Sequence, residues 1–204
     1  MKRFAAFVLL CLSLAGCFYA RCEEGGSFSQ GVIETAQDAA EQAKQPELTK
    51  EEELALYQQN RDEIYRFITD VLELNHAAAC GIIANIHYES RFNPQALGDY
   101  GTSYGLCQWH NRRFRYLVSW CEENGYDFTT VEGQLYYMKS ELEGYYSFVY
   151  ERLKNVANTS RGAYSAGNYW CLYYEKPKNK IVSGDLRGEL ARQRYWHILK
   201  DTDK

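Results

Sequence analysis

Residues 85–109 read NIHYESRFNPQALGDYGTSYGLCQW, and their reading decides the fold. A helical run over His76–Tyr88 carries Ala77, Ala78 and Ala79 for close packing, with Ile82, Ile83 and Ile86 toward a core. It leads into Glu89 and breaks at Asn93-Pro94. A Gly-punctuated stretch follows through Gly98, Gly101 and Gly105, predicting a loop or small hairpin. It carries Asp99, Ser103 and Tyr104 and closes on Gln108-Trp109. One carboxylate at the end of a packed helix thus faces a polar and aromatic loop. General acid cleavage of a sugar polymer needs such a group, held partly out of water.

Glu89 is the candidate acid. The negative end of its helix and the flanking Tyr88 and Phe92 both favour its protonated form. Asp99 is a candidate second carboxylate, able to stabilise an oxocarbenium-like transition state or orient water. It is equally suited to capping its own turn beside Gly98. Glu175, in Tyr-Tyr-Glu-Lys-Pro, reads as a structural contact closing the domain. Ser103, Tyr104, Gln108 and Trp109 are candidate substrate-binding residues: Gln to bond an acetamido group, the rings to stack on sugars. Trp109 suits the core equally well.

The stretch resembles the glutamate motif of the phage-tail lysozyme family, within the lysozyme-like superfamily. The matching pieces are Glu89-Ser90, Phe92-Asn93-Pro94, Gly98-Asp99-Tyr100-Gly101, Ser103-Tyr104-Gly105-Leu106 and Gln108-Trp109. The likeness continues through Arg113, Gly133-Gln134-Leu135, Glu141-Leu142, Glu175-Lys176-Pro177 and Arg187, covering roughly residues 62–196. Goose-type lysozymes and soluble lytic transglycosylases are more distantly similar, through the Glu-Ser pair and Gly-Leu-x-Gln. The resemblance implies a mainly α, lysozyme-like helical domain whose small non-helical or hairpin lobe forms a cleft. It implies a muramidase cutting the β-1,4 bond between N-acetylmuramic acid and N-acetylglucosamine of peptidoglycan, with Glu89 as general acid. A lytic transglycosylase on the same bond, or a non-catalytic peptidoglycan-binding module, are the alternatives. The chain is expected to act as a monomer without a cofactor.

Outward from this motif, helical patterns dominate. Ile64, Phe67, Ile68, Val71 and Leu72 form an amphipathic stripe. Helices are predicted over Trp109–Asn124, from a Thr129/Glu132 capping box to Glu143, and over Phe148–Val156. A further start at Asn158-Thr159-Ser160 runs to Lys176-Pro177, and a last helix covers Arg187–Leu199.

The 204 residues divide at composition shifts. Lys2 and Arg3 precede an apolar run, Phe4–Leu14, too short to span a bilayer as a mature helix. It ends in Leu-Ala-Gly-Cys17, which resembles the bacterial lipobox. Residues 1–16 are read as a signal peptide and Cys17 as a lipidation site, anchoring the exported chain to a membrane at the bacterial surface or envelope. Ordinary cleavage and secretion is the alternative. Residues 17–61 form an acidic flexible linker; within 23–63, eleven Asp or Glu face only Lys44, Lys50 and Arg61. Residues 62–200 are the catalytic domain. Residues 64–204 carry 16 acidic and 17 basic residues, a balance that argues against a nucleic-acid partner.

Cys80, Cys107, Cys121 and Cys171 remain in the domain, open to disulfides or to free buried thiols. His76, His87, His110 and His197 are scattered, which argues against a metal site. Cys107 near His110 leaves a cysteine hydrolase as the rival enzyme class.

Overall fold

A computed structural model describes residues 48–199; the expected signal peptide, the expected lipidation site Cys17 and the expected linker up to residue 47 lie outside them. Helix α1, Lys50–Arg66, starts on a capping box in which Thr49 and Glu52 bond each other's backbone N–H. It therefore begins twelve residues before the boundary read from composition. Its first turns are polar, but Asn60 is buried and donates to Phe92 O at 2.9 Å, and Tyr57 packs on Phe92. Acidic composition concealed a helix that the domain uses. A π turn, Phe67–Val71, extends it.

Helix α2, His76–Ser90, is capped by Asn75, whose side chain accepts from Ala78 N. Every residue from His76 to Ile86 is buried, so α2 is the central helix, apolar on all sides. Burying Ile82, Ile83 and Ile86 contributes about 1.5–3 kcal/mol each. Its closest neighbour is α6, Ser160–Trp170. A Cβ at Gly81 would lie 2.5 Å from both Ala166 Cβ and Gly167 N, so only glycine admits this approach. Arg91 and Phe92 then take positive φ, 53° and 66°, and stop the helix before Pro94.

The Gly-rich stretch forms a three-stranded antiparallel sheet: β1 Leu97–Gly98, β2 Ser103–Tyr104 and β3 Trp109–His110, in that order. Leu97 faces Tyr104, and Tyr104 faces Trp109. Trp109 and His110 are thus strand residues, and α3 starts only at Arg112, ending at Asn124 with Gly125 as its left-handed cap.

Helix α4, Val131–Glu143, is capped by Thr130, not Thr129. Thr129 instead bonds Asp127 Oδ1 through its N–H and hydroxyl, a local turn that competes with capping. Helix α5, Ser147–Lys154, and α6, capped by Thr159, follow. A π turn over Cys171–Glu175 continues α6. Helix α7, Lys180–Leu190, begins before the predicted Arg187, because its first turns expose Ile181 and Val182 and lack a buried stripe to read. A π turn, Ala191–Tyr195, and the short α8, Trp196–Ile198, close the domain. The fold is mainly α with a small β lobe, as expected. All four domain cysteines are free and buried. Among the described residues, no helix is long and apolar enough to cross a membrane.

Candidate active site

Glu89 sits in the last turn of α2, and its side chain is 17% exposed. Arg187 of α7 lies against it, with Nη1 2.6 Å from Oε1. Arg187 is itself only 7% exposed and is held from two further sides. Its Nη1 donates to Asn85 Oδ1 at 3.1 Å, one helical turn before Glu89, and its guanidinium lies over the Tyr88 ring. Asn85 is fixed in turn, donating to Gly81 O and Gly167 O. Nothing local in the sequence near residue 89 signals this cation, 98 positions away.

The end of α2 is tied to the β lobe by Ser90. Its hydroxyl donates to Ile86 O at 3.2 Å and Leu106 O at 3.0 Å. Gln134, fully buried on α4, secures the same loop: Oε1 accepts from Leu106 N, and Nε2 donates to Pro94 O and Phe128 O. Gly105 faces this amide at φ 77°, where a Cβ would lie 2.5–2.8 Å from its atoms. Ser90 and Gln134 belong to the site's framework; the sequence marked them only as pieces of the family resemblance, with no role attached.

The other sequence candidates occupy distinct places. Asp99 is exposed on the loop, where Oδ2 accepts from Ser103 Oγ at 2.7 Å and lies 3.6 Å from His110 Nδ1. Ser103 is buried and also meets His110 Nδ1 at 3.0 Å. Gln108 donates both amide protons to the loop backbone, at Ala96 O and Gly105 O, which leaves only Oε1 for a ligand. Tyr104 is buried and stacked on Phe114; Trp109 is fully buried. Both rings are therefore walls of the lobe, because the cross-strand pairing turns them toward α3 and α4. The neighbouring Tyr88 and Tyr100 are the exposed rings.

Behind the lobe lies a second charged group. Glu141 of α4 accepts from Arg113 Nε and Nη2 at 2.9 and 2.8 Å, from Trp109 Nε1 at 2.9 Å and from Tyr174 Oη at 2.5 Å. Arg113 is sandwiched against Tyr146 and Tyr174. Tyr174 and Glu175 come from the π turn after α6. Glu175 is partly buried, and its Oε1 accepts from Trp170 Nε1 at 2.7 Å. Burial, then repulsion from Glu89, push its pKa up to about 8, against the opposing pull of Arg113 and Arg187.

Cys107 does not suit a nucleophile. It is buried, desolvation holds its thiol well above the usual range, and His110 is engaged with Ser103, Thr102 and Asn111. An open cavity of about 780 Å³ lies elsewhere, between α1 and the His87–Arg91 face of α2, and Glu89 does not line it.

Residues 59–198 match the phage tail lysozyme family. The chain belongs to that family. It is a lysozyme-like enzyme of the glycosidase class, with peptidoglycan as its substrate. No curated protein shows a significant sequence match to the chain.

Proposed function

We propose that this phage tail lysozyme family member cuts the β-1,4 bond between N-acetylmuramic acid and N-acetylglucosamine, with Glu89 as general acid. One observation carries the reading. Glu89 is a partly exposed carboxyl group at the end of a buried helix, with one oxygen fixed by Arg187 and the other free of hydrogen-bond partners among the described residues. That geometry leaves one oxygen able to face a glycosidic bond while the other sets its orientation.

Glu89 protonates the leaving oxygen as the glycosidic bond breaks. Water, or the muramic acid's own hydroxyl, then captures the cation and returns a proton to the site. Asp99, exposed and bonded to Ser103, suits a loop-organising role in this scheme better than direct catalysis. Ser103, Tyr104 and Trp109 shape the wall, and Gln108 Oε1 remains available to an acetamido N–H. Tyr88 is the ring best placed to meet a sugar face beside the acid. Cys17 as a lipid anchor, with the acidic segment as a spacer into the cell wall, fits an enzyme working on a polymer outside the membrane.

The test is mass analysis of fragments released from purified peptidoglycan by the wild-type chain and by Glu89→Gln. Reducing-end muropeptides identify a hydrolase and anhydro ends a lytic transglycosylase. Glu89→Gln should lower either yield by about 10²–10⁴-fold. A folded, wall-bound wild type that releases nothing would overturn catalysis and leave a binding module.

A further inference from the structure

The open cavity of about 780 Å³ between α1 and α2 is in the size range of ligand sites, and its charge is lopsided. Lys50 of α1, Arg91 at the end of α2 and Arg194 of the last π turn line it, against one carboxylate, Glu53. None of these three cations forms an ion pair among the described residues. His87 adds no charge of its own. Burial, then the fields of Arg194 and Arg91, hold it below its usual range, and the Tyr57 and Tyr195 hydroxyls lie 3.0 and 2.8 Å from its Nδ1. Two positive charges are therefore left uncompensated in one concave place. The rest of the lining is largely apolar: Leu48, Leu54 and Leu56 are 43%, 56% and 45% exposed, beside the Tyr57 and Phe92 rings.

We propose that this pocket is a second substrate site, which holds a peptide stem of peptidoglycan while Glu89 faces the glycan. This rests on peptidoglycan being the polymer that the domain cuts. A stem is a short peptide of mostly small side chains, with several free carboxylates and a free amine. Its carboxylates match Lys50, Arg91 and Arg194, its amine matches Glu53, and its methyl groups match the leucines. Arginine in particular offers a carboxylate two parallel N–H donors. A tetrapeptide spans at most about 14 Å, a length suited to a pocket rather than a long groove. A phosphate polymer would use the cations but has no side groups for the apolar lining.

The two sites use opposite sides of one helix end. Residues two apart in an α-helix point about 160° apart, so Glu89 leaves α2 on the far side from His87. Glu89 accordingly does not line the pocket. Stems project from a glycan strand in several directions, and neighbouring strands carry their own. A stem held here grips the wall without crowding the cleft at Glu89.

The test uses the full chain and the free tetrapeptide stem, released from purified peptidoglycan by an amidase, in calorimetric titrations. The peptide should bind, and more weakly as salt rises. The same peptide with its carboxylates amidated should bind at least about tenfold more weakly, as should the native peptide to Arg91→Gln/Arg194→Gln. In fragment release from whole peptidoglycan, that variant should show its loss in KM rather than in kcat. Arg194 lies over the Tyr195 ring, so if the double variant does not fold, Lys50→Gln/Arg91→Gln takes its place. Equal binding of native and amidated peptide, or equal binding by wild type and folded variant, overturns the proposal. So does tighter binding of inorganic phosphate than of the peptide, which would assign the cations to a phosphate polymer. A chain that dimerises through this face and excludes the peptide overturns it as well. A wild type that binds the stem but releases no fragments sinks the muramidase reading and keeps the pocket; one that cuts the wall and ignores the stem does the reverse.

Discussion

Replacing Glu141 by Gln keeps the shape of the side chain and reverses the polarity of half of it. Arg113 Nε and Nη2, Trp109 Nε1 and Tyr174 Oη all donate to Glu141, and Tyr137 Oη adds a longer contact at 3.3 Å. A glutamine offers one acceptor oxygen to these donors and turns an NH₂ toward the rest. Hydrogen bonds to a charged acceptor contribute about 1.5–3 kcal/mol each, and stranding one partner of a buried ion pair costs about 3–5 kcal/mol. Arg113 is 24% exposed and Glu141 10%, so water recovers part of this loss. The expected destabilisation is about 2–4 kcal/mol, roughly 5–15 °C in Tm for a domain of this size. Urea unfolding followed by tryptophan fluorescence measures it, since Trp109 reports on the network directly.

Two controls separate the network from charge removal in general. Glu143→Gln, on the same helix, itself exposed and paired with half-buried Lys139, should cost under about 0.5 kcal/mol. The double variant Arg113→Met/Glu141→Leu should cost less than the sum of its single substitutions, because neither charge is then stranded. A Glu141→Gln loss below about 1 kcal/mol, or one matched by Glu143→Gln, would refute the network's role in holding α3, α4 and the π turn together.

Gly105→Ala should destabilise the loop by about 2 kcal/mol or more, since it combines positive φ with a clash against the buried Gln134 amide; thermal melts check it, and a neutral result would show that the loop shifts freely. Stability should also fall as pH rises. Glu175 ionises near 4.5 when unfolded and near 8 when folded, so between those values the unfolded chain holds fewer protons. Its contribution is full below about 4.5, is lost through the window up to about 8 and is flat above, a span of at most about 5 kcal/mol. Glu175→Gln should flatten that slope in urea melts taken across the window, and an equal slope in both proteins would refute the burial argument.

The central helix was legible because its signals are local. An apolar run with small residues and a Pro beyond its end lie within twenty residues of one another, and the Asn75 cap in the structure sits just before them. The site's charges were not legible in the same way. Arg187 reaches Glu89 from 98 positions away, and no periodicity records which faces of α2 and α7 meet. Trp109 illustrates the same limit: alternation in a two-residue strand is too short to tell core from cleft, and the pairing with Tyr104 decided it. Helix α1 was hidden for a different reason. Its acidic first turns are what a helix N-terminus favours, yet they carry the composition of a linker.

The position of Glu175 depends on a local irregularity that sequence patterns do not mark. In a regular α-helix, residues five apart are separated by about 140° around the axis, so Trp170 and Glu175 would face different sides. The π turn closes instead with Lys176 N–H donating to Cys171 O, five residues back. That wider turn brings residues five apart nearly into line, and Trp170 Nε1 meets Glu175 Oε1 at 2.7 Å. The same turn sends Tyr174 to Glu141. One extra residue in the turn thus sets two acids at once, fastening Glu141 into its network through Tyr174 and holding Glu175 on the Trp170 indole. An isolated π turn of this kind is less favourable than continued α-helix. Its survival within a tightly packed α6 follows from the hydrogen bonds it makes possible.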